Sequence, residues 1–162
     1  MSRGDKKVQF APYVPIWSKE TVVCISKHLN LPMGDTAGAL VMEAQRHMTV
    51  LDRLSVFFWR TLRRGDTVWP GRDDRDDIKT LIDFPYDKCE RLKFRLTSED
   101  RHLVDDLLMA LAVSADHMMA ALLLIAVQEP RIVRVIAPRF VPRSRYSIER
   151  RVAKWHGSSV RY

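Results

Sequence analysis

Between residues 91 and 96 the side chains alternate strictly, with Leu92, Phe94 and Leu96 on one face and Arg91, Lys93 and Arg95 on the other. A period of two predicts a half-buried strand. Thr97 then predicts a helix cap, with Asp100 three residues on reaching back to the cap amide. Leu103, Val104, Leu107, Leu108 and Leu111 recur at the spacing of one helix face. Ala112-Val113-Ser114 breaks that pattern, and Ser114 is a natural N-cap for a second helix from 115 to about 128. This helix is apolar on nearly every side, and Pro130 is expected to end it. The predicted order is strand, helix, tight turn, helix.

Such a unit cannot stand alone. One short strand has no partner, an apolar helix cannot face water, and a unit of about 40 residues seldom folds without help. It needs a second copy to pair the strand and cover the helices. The first half of the chain offers one: residues 14–44 can be laid over 94–126 with Ser18 on Ser98 and Glu20 on Asp100. Ile25 and Leu29 then fall on Val104 and Leu108, with a slip of one or two residues at the turn. Asp35 falls near Asp116, and Leu40-Val41 near Ala121-Leu122. The first strand has two candidates, 7–10 and 13–16. The prolines Pro12 and Pro15 favour 7–10, because proline suits an edge better than a paired strand. The second helix of this half is expected to run on through Leu51, Leu54, Phe57, Phe58 and Leu62 to Arg64, with Gly65 as its C-cap.

The expected fold is thus mainly α with a short two-stranded antiparallel ribbon. Its organisation is a first unit at 1–64 with an extended second helix, a connector at 65–90 rich in acids, a second unit at 91–129 and a basic tail at 130–162. With 46% hydrophobic and 29% charged residues, the 162-residue chain can bury a real core. The net charge is +7. Residues 131–162 hold nine Lys or Arg and a single acid, Glu149, so the excess sits at the C-terminal end. A polyanionic partner is the usual reason for such a segment.

Other chemistry is poorly supported. Cys24 and Cys89 match no metal or redox spacing and read as reduced thiols of a cytoplasmic protein. The N-terminus has no signal-peptide pattern, and the apolar run at 118–127 is too short to span a bilayer. The five histidines share no metal-ligand spacing, and the acids of 73–77 read as a solvated connector. No catalytic triad or phosphate-binding glycine loop is suggested, so neither an enzyme nor a cofactor is expected.

The segment KFRLTSED followed by LAVSADHMMAALL resembles the ribbon-helix-helix family, which includes Arc- and MetJ-type repressors and many antitoxins. In that family the turn carries a hydrophobic residue, a capping Ser or Thr and an acid soon after, matched by Val113, Ser114 and Asp116. Two units in one chain resemble the tandem proteins of conjugative and T-DNA transfer, which bend DNA near a transfer origin and assist a relaxase. The resemblance implies a single-chain tandem pseudo-dimer, or a homodimer of chains, bound to double-stranded DNA. A repressor or antitoxin is the alternative within the fold. A helical adaptor with a nonspecific nucleic-acid-binding tail is the alternative outside it.

A two-stranded ribbon fits the major groove, where each base pair shows its own donor and acceptor pattern. Base reading is expected from Arg91, Lys93 and Arg95, with Lys7 and Gln9 from the first strand. Phosphates are expected at the starts of the second helices, at Ser114 and Ala115 and at Gly34 beside Asp35. The tail arginines Arg139, Arg143, Arg145, Arg150 and Arg151 would add contacts without sequence information. Tyr146 and Trp155 could stack on bases or pack on the body.

Overall fold

The computed structural model describes residues 7–97 and 101–140. Its described residues form six helices and three antiparallel strand pairs. The chain opens with two short strands, β1 (Val8–Phe10) and β2 (Tyr13–Pro15). Helices α1 (Ile16–Leu29), α2 (Met33–Arg46) and α3 (Met48–Leu54) follow. A hairpin of β3 (Leu62–Arg64) and β4 (Thr67–Trp69) leads into a segment with two 3-10 turns. Strands β5 (Cys89–Arg91) and β6 (Phe94–Leu96) come next. Helices α4 (Arg101–Leu111), α5 (Ala115–Gln128) and α6 (Pro130–Ile136) complete the described chain. The expected Thr97–Asp100 cap box lies partly outside the described residues.

The strands join the two ends of this order. β1 pairs with β6 (Val8 with Leu96, Gln9 with Arg95, Phe10 with Phe94), and β2 pairs with β5 (Tyr13 with Arg91, Val14 with Glu90, Pro15 with Cys89). Both pairs keep one register, because Ala11-Pro12 stands against Leu92-Lys93 with no residue gained or lost on either side. Both candidates for the first strand are therefore strands. Proline lacks an N–H, which explains the gap in the ladder at Pro12. Its carbonyl still accepts from the Leu92 amide at 3.0 Å. The strand expected over 91–96 likewise extends back to Cys89, within the segment expected to be connector.

A single offset relates the helices that follow the two strands. Asn30 and Ala112, the two non-glycine residues with positive φ among the described residues (53° and 54°), are 82 positions apart. Each ends the first helix of its half, and α2 and α5 begin three residues later. An extended residue then breaks the helix in each half, at His47 and at Glu129, before the seven-residue helices α3 and α6. The same offset pairs buried side chains: Val22 with Val104, Ile25 with Leu107, Leu40 with Leu122, Ala44 with Ala126 and Val50 with Ile132. The offset is constant from strand to third helix, so the slip expected at the turn is absent: Val22 and not Ile25 matches Val104, and Leu40 matches Leu122.

Helices α2 and α5 make the most extensive helix contact, and both also pack against ribbon strands and against α6. Every residue of α5 from Met118 to Val127 is buried, as its all-round apolar sequence requires. No single described helix is long and apolar enough to cross a membrane.

Three boundaries differ from expectation. The helix expected to reach Arg64 breaks at His47, and α3 turns back to bury Val50, Leu51 and Leu54. A helical hydrophobic period survives such a break, so the sequence pattern does not reveal it. Gly65 (φ 57°) sits in the two-residue turn between β3 and β4, where it permits the hairpin, and caps no helix. Helix α5 ends at Gln128 as expected, with Glu129 extended before Pro130, but the chain becomes helical again at the proline. Pro130 opens α6 at a position where its missing N–H costs little, with the Glu129 side chain accepting from the Arg131 amide.

Most of the 65–90 segment is exposed, and Trp69 and Ile78 are its buried residues. Trp69 is buried and donates its indole N–H to Asp52 at 2.8 Å, fixing the hairpin to α3. Arg64 donates to the Leu103 carbonyl at 3.0 Å and pairs with Asp106 at 3.4 Å, fixing the hairpin to α4. Burial lowers the Arg64 pKa, and Asp106 partly offsets that. In the acidic run, Arg75 stacks 3.5 Å over the Trp59 ring and Asp77 caps a 3-10 turn.

Candidate nucleic-acid interface

The ribbon has one face turned inward and one exposed. Inward, Val14, Leu92, Phe94 and Leu96 are buried, and the Phe10 and Phe94 rings pack with centroids 5.7 Å apart. Helix α2 runs closely beneath β6 through two glycines one turn apart. A Cβ added at Gly34 would lie 3.2 Å from the Lys93 carbonyl oxygen, and one at Gly38 would lie 3.2 Å from that of Arg95. Small residues thus let the helix support the strand backbone directly.

The outward face carries Lys7, Gln9, Tyr13, Arg91, Lys93 and Arg95, all exposed. Every residue expected to read bases is therefore on one surface, drawn from two strands whose paired residues lie 74 to 88 positions apart in sequence. Gln9 stands directly opposite Arg95, and Arg91 opposite Tyr13. Lys7, Lys93 and Arg95 make no ion pair among the described residues. The one acid of β5, Glu90, is tied to Lys19 of α1 at 3.1 Å. The face is cationic and two strands wide.

Tyr13 was missing from the expected reading residues. The Arg91 guanidinium lies 4.8 Å from its ring centroid, and the Tyr86 ring packs on it at 5.6 Å. Hydrogen bonding to Tyr86 and then to Arg91 lowers the Tyr13 pKa, and the bond with Tyr13 raises that of Tyr86. The period-two run of Gln9, Ala11 and Tyr13 carried the signal, but the two prolines interrupt it.

The expected phosphate positions are more varied. Ser114 is the N-cap of α5, its hydroxyl accepting from the His117 amide at 3.3 Å, and Ala115 opens the helix half-buried. α2 begins at Met33 after Pro32, so Gly34 is its second residue and faces the Lys93 carbonyl. Each first turn also carries a carboxylate, Asp35 or Asp116. These complement the helix dipole and compete with an incoming phosphate. Arg139 is exposed just past α6. Arg143, Arg145, Arg150, Arg151, Tyr146 and Trp155 lie outside the described residues.

Both cysteines are free, Cys24 exposed and Cys89 half-buried. Among the described residues no cluster of His, Cys, Asp or Glu could hold a metal ion. Comparison with protein-family models, with curated proteins and with solved structures finds no match.

Proposed function

We propose that the chain is a single-chain ribbon-helix-helix pseudo-dimer that binds double-stranded DNA by inserting its ribbon into the major groove. One observation carries this reading: the strand at 8–15 pairs with the strand at 89–96, and the constant 82-residue offset relates the helices behind them. In a dimer of such units the strand of each copy pairs with that of the other, and here one chain supplies both. Arg91, Lys93 and Arg95 suit guanine O6 and N7, and Gln9 suits adenine. Lys7 and the basic stretch after residue 130 suit backbone phosphates. An accessory role in DNA transfer, holding DNA for a relaxase, rests on the resemblance to tandem transfer proteins and on that basic stretch.

The test is the pair Lys93→Ala and Arg95→Ala, measured on a site selected from random DNA and on unrelated DNA. Each lost bidentate contact is expected to cost about 1–3 kcal/mol on the selected site, with a much smaller loss on unrelated DNA. Equal losses on both would contradict groove reading and favour an adaptor whose nucleic-acid binding is nonspecific.

A further inference from the structure

The geometry points to a target that is not an inverted repeat, because the two ends of the exposed ribbon carry different chemistry. This inference rests on the groove-binding reading above. If residues 82 positions apart are equivalent, the ribbon's local two-fold axis passes at Ala11 and Lys93. Gln9 is then the counterpart of Arg91, Ala11 of Lys93, and Tyr13 of Arg95. A dimer of identical chains would present the same three outward side chains twice and read both half-sites alike. Here the first strand presents Gln9, Ala11 and Tyr13, and the second presents Arg91, Lys93 and Arg95.

The cross-strand pairs make the difference local. At one end Gln9 lies beside Arg95, an amide and a guanidinium, a combination suited to adjacent adenine and guanine. At the other end Tyr13 lies beside Arg91, with the guanidinium over the ring. Tyr86, from the segment between the two halves, packs on that ring and braces only this end. An arginine held by an aromatic ring is preorganised for guanine, and the ring edge can contact a neighbouring thymine methyl. In the middle Lys93 faces a methyl side chain, so cationic contact there comes from one strand alone. Tyr13 becomes a specificity-determining residue. The segment between the halves becomes part of the recognition surface through Tyr86.

The experiment is selection of bound sequences from random double-stranded DNA, by the wild-type chain and by the triple variant Gln9→Arg, Ala11→Lys, Tyr13→Arg. The variant gives both strands the same outward set, and all three positions lie on the exposed face. Wild type is expected to enrich a motif whose halves differ, and to bind inverted repeats built from either half about tenfold more weakly. The variant is expected to enrich an inverted repeat. A palindromic wild-type motif, or a variant motif with unlike halves, would overturn this inference while leaving groove binding intact. No enriched motif with wild type would overturn the groove-binding reading and this inference with it.

Discussion

Truncating Phe10 and Phe94, singly and together, probes the contact that joins the two ends of the chain. Phe94 is 2% exposed and Phe10 is partly buried against it, directly across the β1–β6 ladder. A buried phenyl removes about 200 Å² from water, worth about 5 kcal/mol at about 25 cal/mol per Å² as an upper bound. Phe94→Ala is therefore expected to cost about 4 kcal/mol, within the range for buried Phe truncations. Phe10→Ala is expected to cost about half of that. Their rings touch at a centroid distance of 5.7 Å, so the double variant is expected to lose about 1 kcal/mol less than the summed single losses. Urea unfolding of the four proteins gives these quantities, provided the m-value is unchanged. Additivity within about 0.3 kcal/mol would refute the pairing, because residues far apart add to about that precision.

Three further outcomes follow from particular contacts. A Cβ at Gly71 would meet the Trp59 carbonyl and approach the Arg60 Cα to 2.8 Å, so Gly71→Ala is expected to destabilise by about 3 kcal/mol; a loss below about 1 kcal/mol in thermal unfolding would contradict this packing. Ala112 holds a left-handed φ of 54° that glycine adopts without steric cost, so Ala112→Gly is expected to stabilise by about 0.5–1 kcal/mol. Asn30→Gly should gain less, because asparagine already tolerates that conformation. Burial, and then Asp87, raise the Cys89 pKa. The fold favours its neutral thiol, so this contribution is present below the ordinary thiol pKa and is lost as pH rises through the raised value. Iodoacetamide at pH 8 should therefore label exposed Cys24 well before Cys89, and equal rates in the folded protein would be inconsistent with the burial.

The ribbon's second strand, the helical hairpin behind it and the outward Arg91, Lys93 and Arg95 were all legible, because period-two and helical spacing encode which face is buried. The first strand was legible only in pieces. Pro12 removes one ladder donor without changing the register, and the cross-strand partners that keep the segment extended lie 74 to 88 residues away. Tyr13 went unread for the same reason. The break at His47 and the start at Pro130 were hidden because two helices joined by one extended residue show almost the same apolar spacing as a single long helix. The hairpin at Leu62–Trp69 was masked by its place at the end of that apparent helix. The offset of 82 escaped sequence comparison because identical pairs such as Val22 and Val104 are interspersed with buried pairs of unlike chemistry: Thr36 matches Met118, and Gln45 matches Val127.

The proposed role of the exposed ribbon is to read the major groove of DNA. Methylation interference on the selected site tests it most directly, since dimethyl sulfate marks guanine N7 in the major groove and adenine N3 in the minor groove. N7 methylation at a few clustered guanines is expected to block binding, Arg91→Ala or Arg95→Ala to remove the block at particular guanines, and adenine N3 methylation there to have little effect. Binding indifferent to N7 methylation, or blocked chiefly from the minor groove, would contradict it.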